Sequence, residues 1–358
     1  MRLNMAYQNT IREIQQKIQE TDQTLALWFD EPELVRAYRP DSGGWTIDEI
    51  LEHVSLTSFF LLKIIRKHVE RSLKRAAAGN PVTGDESNLK RLEPVGVRGS
   101  TKWVRPEHME PTGNANMQDV KLQIQNQFAE CLSFLDQMHD GSGSLATVNM
   151  SVGNLGKIDM YQWIYFLTLH AWRHHFQMKE VREEFYSEQI ELVEVSSEDI
   201  EKLQSISIET FRETYAEQND PANFDKHIKK RFNKSALLNE LKNNESQFYF
   251  AMYAGEAVGY LKLNWGESQT ETTLKNALEI ERIYVVRRFH GKGIGKILFD
   301  RSAEIARERN LRYLWLGVWE KNPRAIRFYE KQGLKVFDTH IFIVGEDRQT
   351  DYLMKLAL

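Results

Sequence analysis

Residues 278–295, LEIERIYVVRRFHGKGIG, restrict the fold more than any other stretch of the chain. Ile280, Ile283, Val285 and Val286 form a short apolar, β-branched run, which predicts a buried strand. Arg287, Arg288, Phe289 and His290 follow, and then glycines at alternate positions, Gly291, Gly293 and Gly295. Ile297, Leu298, Ala303, Ile305 and Ala306 then recur at helical spacing. The unit is therefore strand, basic glycine-rich turn, helix. Glycine lets a backbone approach a ligand with no Cβ in the way. The first N–H groups of a helix lack intrahelical partners, and with the positive end of the dipole they suit a pyrophosphate. A turn made only for tight packing would use the same glycines. No Gly-Lys-Ser/Thr closes the loop, and no run of alternating strands and helices surrounds it, so neither the Walker nor the Rossmann pattern applies.

The following residues narrow the choice. Residues 313–318, YLWLGV, predict another buried strand; Asn322, Pro323, Ala325, Ile326, Phe328 and Tyr329 follow, and Gly333 closes the segment. Here the sequence resembles the GNAT family of acetyl-coenzyme A N-acyltransferases. The family's Q/R-x-x-G-x-G/A loop is matched at His290, Gly293 and Gly295, with histidine in place of Gln or Arg. Its Asn-x-x-Ala-x-x-Phe-Tyr helix is matched at Asn322, Ala325, Phe328 and Tyr329. The stretches LEIERIYV, LWLGVWEKN, ETFRETYAEQNDP (209–221) and GEDRQTDYLMK (345–355) are similar to a PaiA-like subgroup of polyamine N-acetyltransferases. The resemblance covers about the last half of the chain. It implies acetyl-CoA as acyl donor and a small amine, of the polyamine class, as acceptor. It further implies a phosphate loop of Arg288, His290, Gly291, Lys292, Gly293, Ile294, Gly295 and Lys296. Backbone bonds from Ile283, Tyr284 and Val285 would meet the pantetheine arm, with Asn322, Ala325 and Tyr329 beside it.

Acetyl transfer needs a proton acceptor for the amine, a donor for the developing oxyanion and an acid for the leaving thiolate. Tyr329 stands at the family's tyrosine position and is the candidate acid; plain packing is the alternative. Glu279 and Glu281 share one strand face by their two-residue spacing, and either could act as base. Glu279 is favoured by its spacing to the loop, although a salt bridge with Arg282 or Arg312 is an equally ordinary role. His340 is a second-rank relay candidate, with a structural role as the alternative. Glu209, Glu213 and Glu217 recur every four residues and predict an acidic helix stripe, either a plain solvated face or a site for a cationic amine at Glu209 and Glu213.

A length of 358 residues predicts two domains rather than one. A net charge of −4 gives no electrostatic case for nucleic acid. The single cysteine, Cys131, excludes an internal disulfide and fits a reducing compartment. The start, MRLNMAYQNT, has no apolar signal core, and the longest apolar stretch, 59–65, is short and broken by Lys63. These features predict a cytoplasmic protein with no membrane span; a homodimer is left open.

The first half is helical. Ile11, Ile14, Ile18, Leu25 and Trp28 form one buried face, which Pro32, Pro40, Gly43 and Gly44 end. Thr46 and Glu49 form a capping box for a second helix running to about residue 73, with His53 on its apolar face. Residues 79–113 are rich in Pro and Gly and predict a long functional or mobile loop. A third helix carries Ile124, Phe128, Cys131, Leu135 and Met138. After a connection punctuated by Gly141, Gly143, Gly153 and Gly156, a fourth begins near Asp159 with the stripe Trp163, Leu167, His170, His174 and Met178. Four amphipathic helices predict a four-helix bundle.

His170 and His174 are one turn apart on the inner face, and His53 faces inward from another helix. Three such imidazoles can hold a divalent metal, zinc or nickel, although inward histidines also occur as hydrogen-bonded core residues. Trp45, Thr46 and His53, with HAWRHHFQ (170–177), resemble the DinB superfamily of metal-binding bundles. The resemblance covers roughly the first half and implies His53, His170 and His174 as ligands, leaving His175 outside. The expected architecture is thus an all-α DinB-like bundle over 1–187 and an α/β mixed-sheet GNAT domain over 188–358. A second reading makes the bundle the active part, a metal-dependent thiol S-transferase or hydrolase, with the GNAT half accessory.

Overall fold

A computed structural model describes residues 7–100, 106–150, 152, 155–218, 220–271, 273–344 and 347–358. The chain divides into two compact units, Met1–Phe185 and Tyr186–Leu358.

The first unit is built on four long helices: α1 (Gln8–Ala26), α3 (Ile47–Ala77), α4 (Met117–Gln137) and α5 (Met160–Gln189), with a single helical turn α2 (Glu33–Arg36) after Pro32. Ile11, Ile14, Ile18 and Leu25 make the buried face of α1. The capping box of α3 forms as expected: the Glu49 N–H donates to Thr46 Oγ1 at 3.1 Å, and the Thr46 N–H donates to Glu49 Oε2 at 2.9 Å. The helix runs past residue 73, because the stop signal is Gly79 at φ 78°, with the Asn80 N–H closing onto Arg75 O.

The 79–113 stretch, expected as a functional or mobile loop, has ordered structure among its described residues. It holds 3₁₀ turns at Lys90–Gly96 and Glu107–Met109, and Leu89, Leu92 and Val95 are buried. Its far end clamps onto α3. The buried Glu52 carboxylate accepts the Thr112 N–H at 3.0 Å, the Thr112 hydroxyl at 2.7 Å and the Gly113 N–H at 2.9 Å. Residues 101–105, and Gly153 of the next connection, lie outside the described residues. That connection also carries a hairpin, β1 (Thr147–Met150) against β2 (Gly156–Asp159), which glycine punctuation alone did not predict.

The second unit contains β3 (Glu191–Glu194), α6 (Ile200–Tyr215), α7 (Pro221–Arg231), α8 (Lys234–Leu241), β4 (Ser246–Tyr253), β5 (Glu256–Asn264) and β6 (Ala277–Val285). There follow α9 (Ile294–Glu308), β7 (Tyr313–Trp319), α10 (Pro323–Lys331), β8 (Lys335–Val344) and β9 (Asp347–Ala357). Pro221 opens α7; proline suits the first helical position because its missing N–H would have no partner there. Because α6 ends at Tyr215, Glu217 falls in the 3₁₀ turn that follows, 3.9 Å from the Arg287 guanidinium.

The strands form one seven-stranded sheet in the order β3-β4-β5-β6-β7-β9-β8. Every pairing is antiparallel except β6 with β7. Two irregularities position the site. A bulge between β5 and β6 pairs Lys262 with Arg282 and Leu263 with Ile280, leaving Glu281 as the extra residue. The parallel pair is also short. It ends at Glu279↔Trp315, while β6 continues to Val285 against β5 and β7 continues to Trp319 against β9. The sheet therefore splits between the C-terminal halves of β6 and β7. Residues 345 and 346 of the β8–β9 turn lie outside the described residues.

Candidate active site and metal centre

The split leaves main-chain groups of β6 and β7 facing each other with no ladder between them. At the end of β6 the chain makes a 3₁₀ turn, Arg287–Phe289, and passes through Gly291 (φ 77°) and Gly293 (φ 84°) into α9. Both glycines take left-handed backbone that other residues enter only at a cost. Gly293 is the N-cap of α9 and has no side chain to cap it. Gly295 has ordinary helical backbone, and a Cβ there would meet only Phe328, at 3.7 Å. The protein alone does not demand glycine at 295, whereas a close-lying ligand would. This cradle fits the pyrophosphate of a coenzyme A thioester.

Side chains around the loop are mostly committed to protein partners. His290 donates from Nε2 to Val285 O at 2.7 Å, tying the loop to the strand, and burial pulls its pKa below the ordinary value. Arg288 pairs with Glu209 at 3.4 Å and with Glu256; Lys292 donates to the Tyr186 hydroxyl at 3.0 Å; Lys296 pairs with Asp300 at 2.5 Å. An anion held by this loop would thus meet mainly backbone, from Gly291 to Gly295 including Ile294. The same contacts engage the acidic stripe. Glu213 accepts the Arg287 backbone N–H at 2.7 Å, and Glu209 meets Arg288. Glu209 thus has a guanidinium partner, and Glu213 a backbone one.

Asn322 caps α10, its Oδ1 accepting the Ala325 N–H at 3.1 Å. One turn on, Phe328 packs edge-on against Phe299 of α9, 6.3 Å between ring centres. The signature helix thereby presses on the start of α9 and holds Tyr329 in a buried position beside Tyr284. Burial raises the Tyr329 hydroxyl pKa well above the ordinary value, so it stays protonated and able to donate.

The two acid–base candidates on β6 have different surroundings. Glu281 sits in a buried ion cluster: Lys262 Nζ at 2.5 Å, Arg282 Nη2 at 3.0 Å, Asn264 Nδ2 at 2.6 Å, and Arg231. Burial pushes its carboxyl up, but Arg282, Lys262 and Arg231 outweigh this and hold it at about 2. Such a carboxylate is a weak base at neutral pH, so the expectation of Glu281 as proton acceptor is corrected to a structural role. Glu279 is raised by burial, against hydrogen bonds from the Thr270 N–H at 2.8 Å, the Thr270 hydroxyl and Asn264 at 3.1 Å. It makes no salt bridge with Arg282 or Arg312 among the described residues; Arg282 belongs to Glu281 and Glu240 instead. His340 pairs with Glu271 at the outer strand β8.

Several residues at the split were not singled out from the sequence. The Tyr215 and Tyr284 hydroxyls are 3.4 Å apart, Tyr260 stacks on Tyr284 at 5.7 Å, and Tyr215 lies 6.2 Å from Trp319 between ring centres. Asp351 stands opposite Trp319 across the β7–β9 pair. Tyr215 and Asp351 both lie inside the stretches 209–221 and 345–355, which carried a signal without a residue assignment.

In the bundle, His53 of α3 and His170 and His174 of α5 converge, all buried, with their ligand atoms within 4.8 Å of one another. His170 Nε2 and His174 Nε2 are 3.3 Å apart. Two nitrogens bound to one tetrahedral zinc at about 2.0–2.1 Å would stand about 3.3–3.4 Å apart. The outer nitrogens fix the rings. His53 Nδ1 donates to Met109 O at 2.7 Å, and His174 Nδ1 bonds Gln177 Oε1 at 2.9 Å, which leaves each Nε2 lone pair facing the centre. Burial and neighbouring imidazoles hold His170 well below its ordinary pKa and His174 down at about 3, the neutral state a metal requires. Trp45 covers His53, 4.7 Å between ring centres. His175 points elsewhere, accepting the Trp28 indole N–H at 3.1 Å. These residues fit a divalent metal.

Comparison with known proteins agrees with this division. Residues 200–334 match the model of the acetyltransferase (GNAT) family, and residues 16–178 match that of the DinB superfamily. An uncharacterized N-acetyltransferase of Lactobacillus delbrueckii subsp. lactis is 43% identical over 169 residues, 47% of this chain and 98% of that protein. The chain belongs to the GNAT acetyltransferase family. This GNAT protein carries a DinB domain as its first half and is an acetyl-CoA-dependent N-acetyltransferase. The spermidine N(1)-acetyltransferase of Thermoplasma acidophilum is 28% identical over 154 residues, 42% of this chain and 91% of that protein. The solved PaiA N-acetyltransferase of the same organism, in complex with coenzyme A, is 26% identical, covers 47% of this chain and 99% of its own, and superposes with a TM-score of 0.40. Among the described residues, no helix is long and apolar enough to cross a membrane.

Proposed function

We propose that the GNAT half acetylates a small primary amine of the polyamine class, in the cytoplasm, and that the DinB half holds a divalent metal on His53, His170 and His174. The observation that carries the acceptor class is the alignment with a spermidine N(1)-acetyltransferase over 91% of its length. Acetyl-CoA supplies the activated acetyl group. The backbone of Gly291 to Gly295 holds its pyrophosphate, and Ile283, Tyr284 and Val285, where β6 has parted from β7, receive its pantetheine arm. Tyr329 protonates the departing sulfur, its buried hydroxyl having no reason to ionise beforehand. Glu279, with its raised pKa, is the β6 carboxylate retained as a proton acceptor.

The test is thiol release from acetyl-CoA by the purified full chain, with spermidine and a panel of primary amines. Amine-dependent release that Tyr329→Phe lowers about a hundredfold or more in kcat is the expected result. No release with any amine would overturn the acceptor class.

The triad geometry favours a second activity in the bundle. Neutral imidazoles on one metal leave an open position, which suits activation of water or a thiol, as in a metal-dependent S-transferase or hydrolase. Metal analysis separates the cases: wild-type protein should carry a divalent metal that His170→Ala loses. Retention of metal by His170→Ala would remove the triad as the site.

A further inference from the structure

We infer that Asp351 is the carboxylate that receives the acceptor amine at the split in the sheet. The inference rests on the N-acetyltransferase reading and adds a residue to it.

The acceptor must reach the thioester from a face of the sheet where the strands part. On that face α6 brings Tyr215 over the split, against Trp319 of β7 and the hydroxyl of Tyr284 on β6. Asp351 is the β9 residue paired with Trp319, the last residue of β7. Side chains alternate along a strand, so Trp315, Gly317 and Trp319 share one side of β7. Asp351 leans over that side. A Cβ on Gly317 would stand 3.7 Å from Asp351 Oδ2 and 3.7 Å from Leu353 Cδ2. Gly317 is exposed and is not among the residues with positive φ, so its backbone does not require glycine. What its missing side chain leaves is open space beside the carboxylate.

The carboxylate is free of hydrogen bonds and ion pairs among the described residues, although His340 stands opposite it on β8 and acts on it through charge. Glu279, Glu281, Glu209, Glu213 and Glu271 all have hydrogen-bond or ion-pair partners. Asp351 is half-buried, and among the described residues its side chain has no hydrogen bond or ion pair. Burial raises its pKa, with His340 acting against this and Glu320 with it. Its charge also acts on the Tyr215 and Tyr284 hydroxyls, so all three groups share one electrostatic neighbourhood. A half-buried anion with no hydrogen bond or ion pair of its own, beside Trp319 and near the Tyr215 and Tyr284 hydroxyls, is a site for an alkylammonium.

The proton balance follows. The acceptor arrives as R–NH₃⁺, pairs with Asp351 and loses one proton to solvent. The freed nitrogen lone pair forms the N–C bond, and the C–S bond breaks with its electrons going to sulfur. The product amide keeps one N–H. The remaining proton lost from nitrogen goes to Glu279 and Tyr329 gives one to the thiolate, so the two balance.

The test uses the full chain and thiol release from acetyl-CoA with spermidine as acceptor. Asp351→Asn should raise the acceptor KM about tenfold or more, the scale of one hydrogen bond to a charged group. The acetyl-CoA KM should stay within about twofold, and Asp351→Glu should recover part of the acceptor affinity. An unchanged acceptor KM in Asp351→Asn, with wild type active on amines, would overturn the assignment and leave the acetyltransferase reading intact. Equal losses in the Asn and Glu variants together with lost coenzyme A binding by calorimetry would make Asp351 a packing residue and overturn it as well. Wild-type protein inactive on every amine would overturn the acceptor reading first, and this inference with it.

Discussion

Glu281→Gln is the substitution that best separates a structural carboxylate from a catalytic one. The side chain loses its charge but keeps its shape, and the buried Lys262 and Arg282 are left with Glu240 alone, at 3.2 and 2.8 Å. Removing one partner of a buried ion pair costs about 3–5 kcal/mol, because the other charge stays buried. The ionisation of Glu281 leads to a similar figure. Holding a carboxyl at about 2, rather than its ordinary 4.5, stabilises the folded state at neutral pH by on the order of 3 kcal/mol. Arg231 is 44% exposed and adds little to this.

The sign is that of a depressed carboxyl. Its contribution is fully present above pH 4.5 and is lost as pH falls from there towards 2. Calorimetry should therefore show the GNAT-half transition of Glu281→Gln lowered by on the order of 10 °C at pH 7. The difference from wild type should hold to about pH 5 and narrow below it. At a temperature where the variant is folded, kcat should stay within about threefold of wild type. A variant that keeps its transition temperature but loses kcat a hundredfold would refute the reasoning, since that is the behaviour of a base. A stability difference that did not narrow in acid would refute the ion-pair origin.

Other perturbations address the loop. Gly293→Ala places a Cβ on left-handed backbone at about 1–2 kcal/mol and fills the anion cradle. Its acetyl-CoA KM should rise at least about tenfold, and an unchanged KM would remove the cradle from the argument. Glu213→Gln should raise the acetyl-CoA KM roughly three- to tenfold by loosening the Arg287 turn, with little change in spermidine KM. The opposite split would restore Glu213 as an acceptor contact. Glu52→Gln weakens the clamp of Thr112 and Gly113 near Met109, which orients His53. Metal affinity should fall by about tenfold, as for other outer-shell changes, and equilibrium dialysis against zinc would measure it.

The parts of this protein that could be read from its sequence are those whose determinants lie close together along the chain. The glycine loop, the Thr46–Glu49 capping box and the Asn322 cap each depend on fewer than about a dozen consecutive residues, and so does the one-turn spacing of His170 and His174. Their geometry is a property of a single turn or helix end. Pro221 marks the limit of such local signals. The same residue can follow one helix or begin another, and its surroundings in space decide which. Glu281 lies beyond that limit. Its two-residue spacing from Glu279 put both on one face, and both do reach Asn264. Their roles diverge because a bulge turns Glu281 towards Lys262, Glu240 and Arg231, which come from other elements of the fold. Asp351 is the converse case: its neighbours Trp319, Gly317 and Tyr215 are also distant in sequence, but none of them gives it a hydrogen bond or ion pair. The charge a carboxylate carries in a fold, and its use, are set by the cations that reach it. A sequence states how many acids and bases exist, and only the packed sheet states which of them remain available to a substrate.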